Sequence, residues 1–175
     1  MPENAKFLII GSFPGQEQTQ NEINDEVDWY YGAKKNLFWK IISEVYQVNL
    51  QTKEDKQRLF TKYGIGITDI LLKVIRAKDS NKDQHLEIIE YNNQIIKSIL
   101  EKHEIKTILF TSNYVEAIFL KFFPNIKNYS CLLSPSGGAN IPISKSEEYL
   151  KYRELNPNGN TISFRIYKYK QLLPQ

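Results

Sequence analysis

The chain has 175 residues, of which 41% are hydrophobic and 25% are charged, and this suits one globular domain with a full core. A net charge of +3, from 23 Lys and Arg against 20 Asp and Glu, permits nucleic-acid binding without indicating it. The single cysteine excludes an internal disulfide and a thiolate-rich zinc site, and having only two histidines argues against a histidine-based metal site.

The start of the chain and its hydropathy predict a location. The first apolar run follows only a few polar residues, too few for a signal peptide, and no segment approaches the roughly 20 apolar residues of a membrane span. We therefore expect one cytoplasmic domain over residues 1–175, with no contact with a membrane.

The first predicted element is a strand buried on both faces. Residues Phe7–Ile10 form a continuous apolar run that stops at Gly11, as in a strand of a parallel sheet. The polar, acid-rich residues 16–28 that follow predict a long surface loop.

Two helices and a second strand are predicted next. Asn36 can cap a helix whose apolar residues follow helical spacing, and Thr52 can cap a second helix that ends near Gly64. Residues 65–72 predict a strand, with Asp69 near its end.

The second half continues the alternation of helices and strands. Residues 84–103 predict a long amphipathic helix, and residues 107–110 a third strand with a helix after it over 113–123. Residues 129–133 predict a fourth strand.

The last part of the chain predicts helices. Ser146 and the acids after it begin one helix, and residues 162–173 fit either alternation or helical spacing, of which length favours the helix. Strands that alternate with helices predict a three-layer α/β/α sandwich with a four-stranded, mainly parallel sheet.

Three unusual segments follow predicted strands: Gly11–Gly15, Ile67–Asp69 and the Gly-rich segment Ser134–Asn140. In an open α/β sheet, ligands bind beyond the carboxyl ends of the strands. The sequence therefore predicts one binding site where these segments meet.

The same segments resemble motifs of the uracil-DNA glycosylase superfamily. Gly11-Ser12-Phe13-Pro14-Gly15 is similar to the first motif, Gly-x-Asn-Pro-Gly, and residues Tyr30–Trp39 end in the motif Asn-x-Phe-Trp. Phe13 replaces the usual first-motif Asn. The hypoxanthine-DNA glycosylase branch resembles this chain most closely, because it too has Gly-Ser-Phe-Pro-Gly, with its catalytic Asn in the later motif and an Asp at the base-reading strand.

The resemblance implies a catalytic Asn36 and a loop that grips DNA. The residues expected around the base are Gly11, Ser12, Phe13, Tyr31, Asp69, Ser112 and Asn113, the last two as donors to a base carbonyl. The residues expected against the DNA backbone are Ser134, Ser136, Gly137, Gly138 and Asn140.

Each of these residues also has a plainer interpretation. Asn36 can be the N-cap of its helix alone, Asp69 a turn or capping residue, and the Gly-rich segment a flexible loop. That segment lacks the His and the bulky wedge that some superfamily members carry, which favours weak base extrusion from intact duplex.

The function that these features predict is a monofunctional DNA glycosylase acting on a deaminated base, hypoxanthine or uracil. Its partner is DNA containing that base, it needs no cofactor or metal, and it is expected to be a monomer. Two alternatives stay open: a hydrolase of N-glycosidic bonds in nucleosides or nucleotides, and a non-catalytic nucleic-acid-binding domain of the same fold.

Overall fold

The computed structural model describes residues 1–19, 29–33, 35–76 and 85–175. The strands are, in chain order, β1 (Phe7–Gly11), β2 (Ile65–Asp69), β3 (Leu71–Arg76), β4 (Leu86–Tyr91), β5 (Thr107–Phe110) and β6 (Tyr129–Cys131). The helices are α1 (Gln16–Thr19), α2 (Phe38–Tyr46), α3 (Lys53–Lys62), α4 (Asn93–Lys102), α5 (Asn113–Phe122), α6 (Asn140–Ser144), α7 (Glu147–Leu155) and α8 (Thr161–Leu172).

Four parallel strands form the main sheet, in the order β2-β1-β5-β6. In the register between β1 and β2, Gly11 lies opposite Asp69. The predicted four-stranded parallel sheet is confirmed, and its last strand is shorter than predicted, because β6 ends at Cys131.

Both faces of the sheet are covered, as the continuous apolar run of β1 requires. Ile9 belongs to a cluster with side chains of α2, α3 and α8, whereas Leu8 and Ile10 belong to a second cluster with side chains of α4 and α5. The predicted three-layer α/β/α arrangement is therefore confirmed.

The sequence prediction was wrong for the segment between the second and third strands of the main sheet. The run 65–72 breaks at Ile70 into β2 and β3, and β3 pairs antiparallel with β4 in a separate two-stranded ribbon. Residues 84–103 are therefore not one helix but β4 followed by α4. Leu86 and Ile88 pack on the core while Ile89 is 48% exposed, so the burial follows strand alternation, which competed with the helical spacing.

The other predicted helices are present, although α2 has Leu37 rather than Asn36 as its N-cap. Thr52 caps α3 in a capping box with Asp55, Ser146 caps α7, and the ambiguous tail is the helix α8. Of the predicted loop over residues 16–28, the first part is the short helix α1, and residues 20–28 lie outside the described residues. Among the helices that are described, none is long and apolar enough to cross a membrane.

Candidate active site

The strand order places a crevice at the carboxyl ends of β1 and β5. The chain passes from β1 to β2 on one side and later returns to β5 on the other side of β1. At such a reversal the two connections leave in opposite directions and open a cleft, which is where ligands bind in open α/β sheets. Gly11 ends β1 at this point, and Thr111 follows the last residue of β5.

Gly11 is needed because two polar side chains fill the space where a Cβ would stand. A Cβ built on Gly11 would lie 2.1 Å from Tyr31 Oη and 2.3 Å from Asp69 Oδ1. A hydroxyl and a carboxylate therefore approach the same backbone atom at the end of β1. Tyr31 from a loop and Asp69 from β2 therefore lie beside Gly11, and all three are predicted base-binding residues.

Tyr31 is held in this place against its own backbone preference. Its φ of 61° lies in the left-handed region, which a bulky residue seldom adopts and which costs on the order of 1–3 kcal/mol. Two contacts hold it: its ring stacks on Phe38 with a centroid separation of 4.4 Å, and its hydroxyl donates to Thr111 Oγ1 at 3.2 Å. Thr111 is itself buried.

Asp69 is fixed at the end of β2 by a buried amide. Asn92 Nδ2 donates to the Asp69 carbonyl oxygen at 2.8 Å and to Thr68 Oγ1 at 3.2 Å. Burial raises the pKa of the Tyr30 hydroxyl, the charge of Asp69 raises that pKa further, and a hydrogen bond with Thr68 acts in the opposite direction. Tyr30 is therefore close enough to Asp69 for the carboxylate charge to disfavour ionisation of the Tyr30 hydroxyl.

The first-motif loop is held by the antiparallel ribbon. The Arg76 guanidinium, at the end of β3, lies 5.7 Å from the centre of the Phe13 ring and donates to the Pro14 carbonyl oxygen. The Ser12 carbonyl oxygen accepts from Leu71 N–H at 3.1 Å. The ribbon, which sequence patterning failed to predict, thus supports the loop that carries Ser12 and Phe13.

Asn36 occupies a position just before the N-cap of α2, which is Leu37. Its Oδ1 accepts from the Phe38 N–H at 2.9 Å, so the side chain does satisfy a helix-end donor, as the plainer interpretation required. The amide oxygen keeps a second lone pair and the amide nitrogen two N–H donors. Helix-end capping therefore uses one of several hydrogen-bonding positions of Asn36.

A short backbone bridge joins Asn36 to the Gly-rich segment. Asn36 and Ser136 form an isolated antiparallel bridge, and Leu37 N–H donates to the Pro135 carbonyl oxygen at 2.9 Å. The predicted catalytic residue and the predicted DNA-gripping segment are thus brought together across about 100 residues of chain.

The Gly-rich segment is an ordered turn held by its own serines. Ser134 Oγ accepts from Ser136 N–H at 3.3 Å, and Ser136 Oγ accepts from Gly138 N–H at 3.3 Å. Residues 137–139 then form a turn of 3-10 helix that continues into α6. A hydroxyl that accepts one hydrogen bond still has its proton to donate, so both serines can contact phosphate.

Of three other predicted residues, Asn140 and Ser112 have structural partners. Asn140 Oδ1 accepts from Arg165 Nη1 at 2.8 Å and from Thr161 Oγ1 at 3.1 Å, so its amide oxygen points to the protein interior. Ser112 is the N-cap of α5, and its Oγ accepts from Val115 N–H at 3.3 Å. Asn113 begins α5 and is exposed.

Within the described ranges, no three His, Cys, Asp or Glu side chains cluster in a way that would hold a metal ion.

No protein-family model matches the chain, but two curated proteins named hypoxanthine DNA glycosylase do. The one from Methanosarcina acetivorans is 25% identical over 154 residues, which cover 85% of this chain and 89% of the relative. The one from Methanosarcina barkeri is 27% identical over 111 residues, which cover 62% of this chain and 64%, just under two thirds, of the relative.

The fold of this chain also matches a solved structure. The solution NMR structure of a candidate uracil DNA glycosylase from Methanosarcina acetivorans superposes with a TM-score of 0.62 at 22% identity, covering 93% of this chain and 92% of that one. The chain is a distant homologue of the hypoxanthine DNA glycosylases. The distant homology and the shared fold agree with the resemblance that the motifs at Gly11–Gly15 and Asn36–Trp39 predicted.

The superfamily motifs did not reveal every residue that shapes this site. Thr111, Arg76 and Arg165 all contact predicted site residues, yet no motif pointed to them. Tyr30 was open to inference, since it adjoins Tyr31 in the aromatic segment. Arg165 carried no local signal, because its partners on the Gly-rich segment lie 25 to 31 residues away in sequence.

Proposed function

We propose that the chain is a monofunctional DNA glycosylase that hydrolyses the bond between deoxyribose and a deaminated base, hypoxanthine or uracil. The observation that carries the proposal is the packing of Asp69 Oδ1 and Tyr31 Oη against Gly11, at the strand-end crevice. A hydrogen-bond acceptor beside an aromatic side chain is what a flat base with a ring N–H requires. Distant homology to hypoxanthine DNA glycosylases supports the same reaction.

Asp69 supports a preference for deaminated bases. An ionised carboxylate only accepts hydrogen bonds, and both hypoxanthine and uracil present a ring N–H beside a carbonyl. Adenine lacks that N–H, so two hydrogen-bond acceptors would face each other with no proton between them. This would disfavour the binding of adenine by a large factor. The neighbouring carbonyl needs a donor, and the hydroxyl proton of Ser112 or the amide of Asn113, at the start of α5, suits this role.

The flipped base would stack on Phe13. The ring carries the Arg76 guanidinium on one face and packs partly against the second core cluster, so the base would use the part of the ring that these contacts leave. Stacking of a base on an aromatic side chain is worth roughly 1–3 kcal/mol. Tyr31, whose ring already stacks on Phe38, would form the inner wall of the pocket.

Asn36 would hold the attacking water beneath the sugar. With one lone pair of Oδ1 engaged by Phe38 N–H, the second lone pair is oriented by a fixed amide plane. Water oxygen bonds to the sugar carbon, the glycosidic bond breaks, and the base leaves with its electron pair while the water proton passes to solvent. Backbone N–H groups near Ser12 and the N-terminal end of α5 would stabilise the negative charge on the leaving base.

The Gly-rich segment would hold the DNA backbone. The exposed Ser136 and the half-buried Ser134 offer hydroxyl protons, and glycines allow phosphates to come close. Because Gly138 and Ala139 are small, little replaces the stacking that is lost when the base leaves the helix. Mismatched and single-stranded targets should therefore be processed faster than paired ones.

One observation favours a second function, which is binding of damaged DNA without catalysis. Asn36 Oδ1 already accepts from Phe38 N–H, and the first motif has Phe13 in place of its usual Asn. A protein of this kind would retain the pocket and the DNA-gripping segment but release no base.

An incision panel tests the proposal. Oligonucleotides with a single uracil, hypoxanthine, xanthine or normal base, in single-stranded, mismatched and paired form, are incubated with the protein and then cleaved with alkali at abasic sites. The corresponding free nucleosides are incubated in parallel, and release of their base is measured. Cleavage only at deaminated bases is expected. Tight binding without cleavage supports the second function, release from free nucleosides alone identifies a nucleoside hydrolase, and no binding or release refutes both proposals.

A further inference from the structure

Arg165 is a buried cation on α8 with an unusual set of partners. Its side chain has no exposed surface, and burial lowers the pKa of its guanidinium, although an arginine keeps its proton in proteins. The hydrogen bonds described for it all go to neutral oxygens. Burying a charge without a carboxylate partner is costly. The hydrogen bonds that Arg165 forms must therefore compensate for the hydration that its guanidinium loses.

Most of those bonds hold the Gly-rich segment from below. Arg165 Nε donates to the Ser134 carbonyl oxygen at 2.8 Å, Nη2 to the Ser136 carbonyl oxygen at 3.2 Å, and Nη1 to Asn140 Oδ1 at 2.8 Å. The planar guanidinium therefore fixes the beginning, the middle and the end of the segment at once.

A second residue of α8 holds the short stretch between β6 and the segment. Tyr169 Oη donates to the Leu133 carbonyl oxygen at 2.9 Å, and burial raises the pKa of this hydroxyl, which keeps it a donor at neutral pH. Tyr169 belongs to the core cluster that includes Phe38 of α2. Helix α8 thus has a fixed position from which Arg165 reaches the segment.

The segment in turn holds the backbone of Asn36. The carbonyl of Pro135, which accepts from Leu37 N–H, lies between the two carbonyls that Arg165 holds. The bridge between Asn36 and Ser136 is formed by the same stretch of chain. A continuous path of hydrogen bonds therefore runs from Arg165 through the segment to Asn36.

We infer that Arg165 is a positioning residue: it presets the Gly-rich segment for phosphate contact and, through Pro135, fixes the backbone of Asn36. This inference rests on the proposed function for its catalytic consequence, whereas its structural part stands independently. Among the described residues its hydrogen bonds go to neutral oxygens, so the guanidinium also places a positive charge beneath a surface that would face phosphates, which raises the local potential.

The experiment uses Arg165→Lys, which keeps the charge but loses the planar fork, and Arg165→Ala, with and without millimolar guanidinium chloride. Lys168→Met is the matched control, because it removes a positive charge from the same helix, where the half-buried Lys168 pairs with the exposed Glu148. Asn140→Ala removes one acceptor of Arg165 and serves if both Arg165 variants fail to fold. Hydrogen exchange, melting temperature, DNA affinity and single-turnover base release are measured.

The amides of Leu37, Ser134 and residues 136–140 should exchange at least tenfold faster in the Arg165 variants, and Asn140→Ala should show a smaller increase. Base release at saturating protein and DNA affinity should each fall at least tenfold in Arg165→Ala, with partial recovery in guanidinium. Arg165→Lys should have lower DNA affinity and base release than Arg165→Ala treated with guanidinium, because an ammonium ion cannot bind the carbonyls at both ends of the turn.

Three results would overturn the inference. The first is unchanged hydrogen exchange in the Gly-rich segment of a folded Arg165 variant, and the second is an equal effect of Lys168→Met. The third is an Arg165 variant with faster hydrogen exchange but the DNA affinity and base release of the parent. Failure of the proposed function looks different, because the parent then releases no base from any oligonucleotide. In that case, exchange in the segment and DNA affinity still decide whether Arg165 positions it.

Discussion

Replacement of Gly11 by alanine should damage the candidate pocket from within. The added Cβ would lie 2.1 Å from Tyr31 Oη and 2.3 Å from Asp69 Oδ1, so each oxygen must retreat by about 1 Å to reach van der Waals distance. Tyr31 is restrained by its stacking on Phe38 and its bond to Thr111. Overpacking of this kind costs about 1–3 kcal/mol. In a chain of 175 residues each kcal/mol lowers the melting temperature by about 2–4 °C.

The loss of activity should exceed the loss of stability. Displacement of a positioning group by about 1 Å can cost on the order of 10²-fold in rate, so single-turnover release of hypoxanthine or uracil should fall by about that factor. The assay is run at least 15 °C below the melting temperature, so that unfolding does not contribute. Adding Tyr31→Phe removes the nearer oxygen and should recover part of the melting temperature, although the ring Cζ remains 3.0 Å from the new Cβ.

Gly66→Ala on the adjacent strand β2 is the matched control. A Cβ there would lie 2.3 Å from Cε and 2.4 Å from Sδ of Met1, the end of a flexible and half-exposed side chain that can move away. Its effect on melting and on base release should be small. If Gly11→Ala melts like Gly66→Ala and releases base at the parental rate, Tyr31 and Asp69 do not enclose Gly11.

Three further changes test separate parts of the site. Asn36→Ala removes the acceptor of Phe38 N–H, so it should lower stability by about 1 kcal/mol and the rate of base release by about 10²–10³-fold. Asn36→Asp is the control that keeps the acceptor. A lower melting temperature with normal base release in Asn36→Ala would leave Asn36 only the capping role. Asp69→Asn should raise uracil release relative to hypoxanthine release, because an amide can both accept and donate, and an unchanged ratio in folded protein would place Asp69 away from the base. Gly138→Leu has room for its side chain, since among the described residues only Ser136 Oγ, at 3.6 Å, lies near a Cβ at this position. It should narrow the rate gap between single-stranded and paired substrates, and equal rates on both in the parent protein would contradict weak base extrusion.

The fold could be predicted from the sequence where a single sequence pattern dominated. The run Phe7–Ile10 admits only a buried strand, and Thr52 with Asp55 forms the capping box that its spacing predicts. Residues 86–91 satisfied two periods at once, since Leu86 and Ile89 fit a helix while Leu86 and Ile88 fit a strand. Pairing with β3 decided the outcome, and pairing partners are not visible in a single strand's sequence.

The candidate site was readable only where its residues lie in motifs. Gly11, Asn36 and Asp69 are predicted by short patterns after strands or before a helix, and the fold brings their segments to one edge of the sheet. Arg165 and Thr111 could not be predicted in this way, because they act through single long-range hydrogen bonds. Such contacts depend on tertiary packing and leave no spacing rule in the sequence.

The position of α8 in the chain has a consequence for biosynthesis. When the ribosome has added residue 160, every strand of the main sheet has been made, but the residues that hold the Gly-rich segment, Arg165 and Tyr169, have not. A nascent chain can therefore fold its sheet before the Gly-rich turn acquires its support. The order of synthesis thus delays completion of the candidate site until α8 has been made.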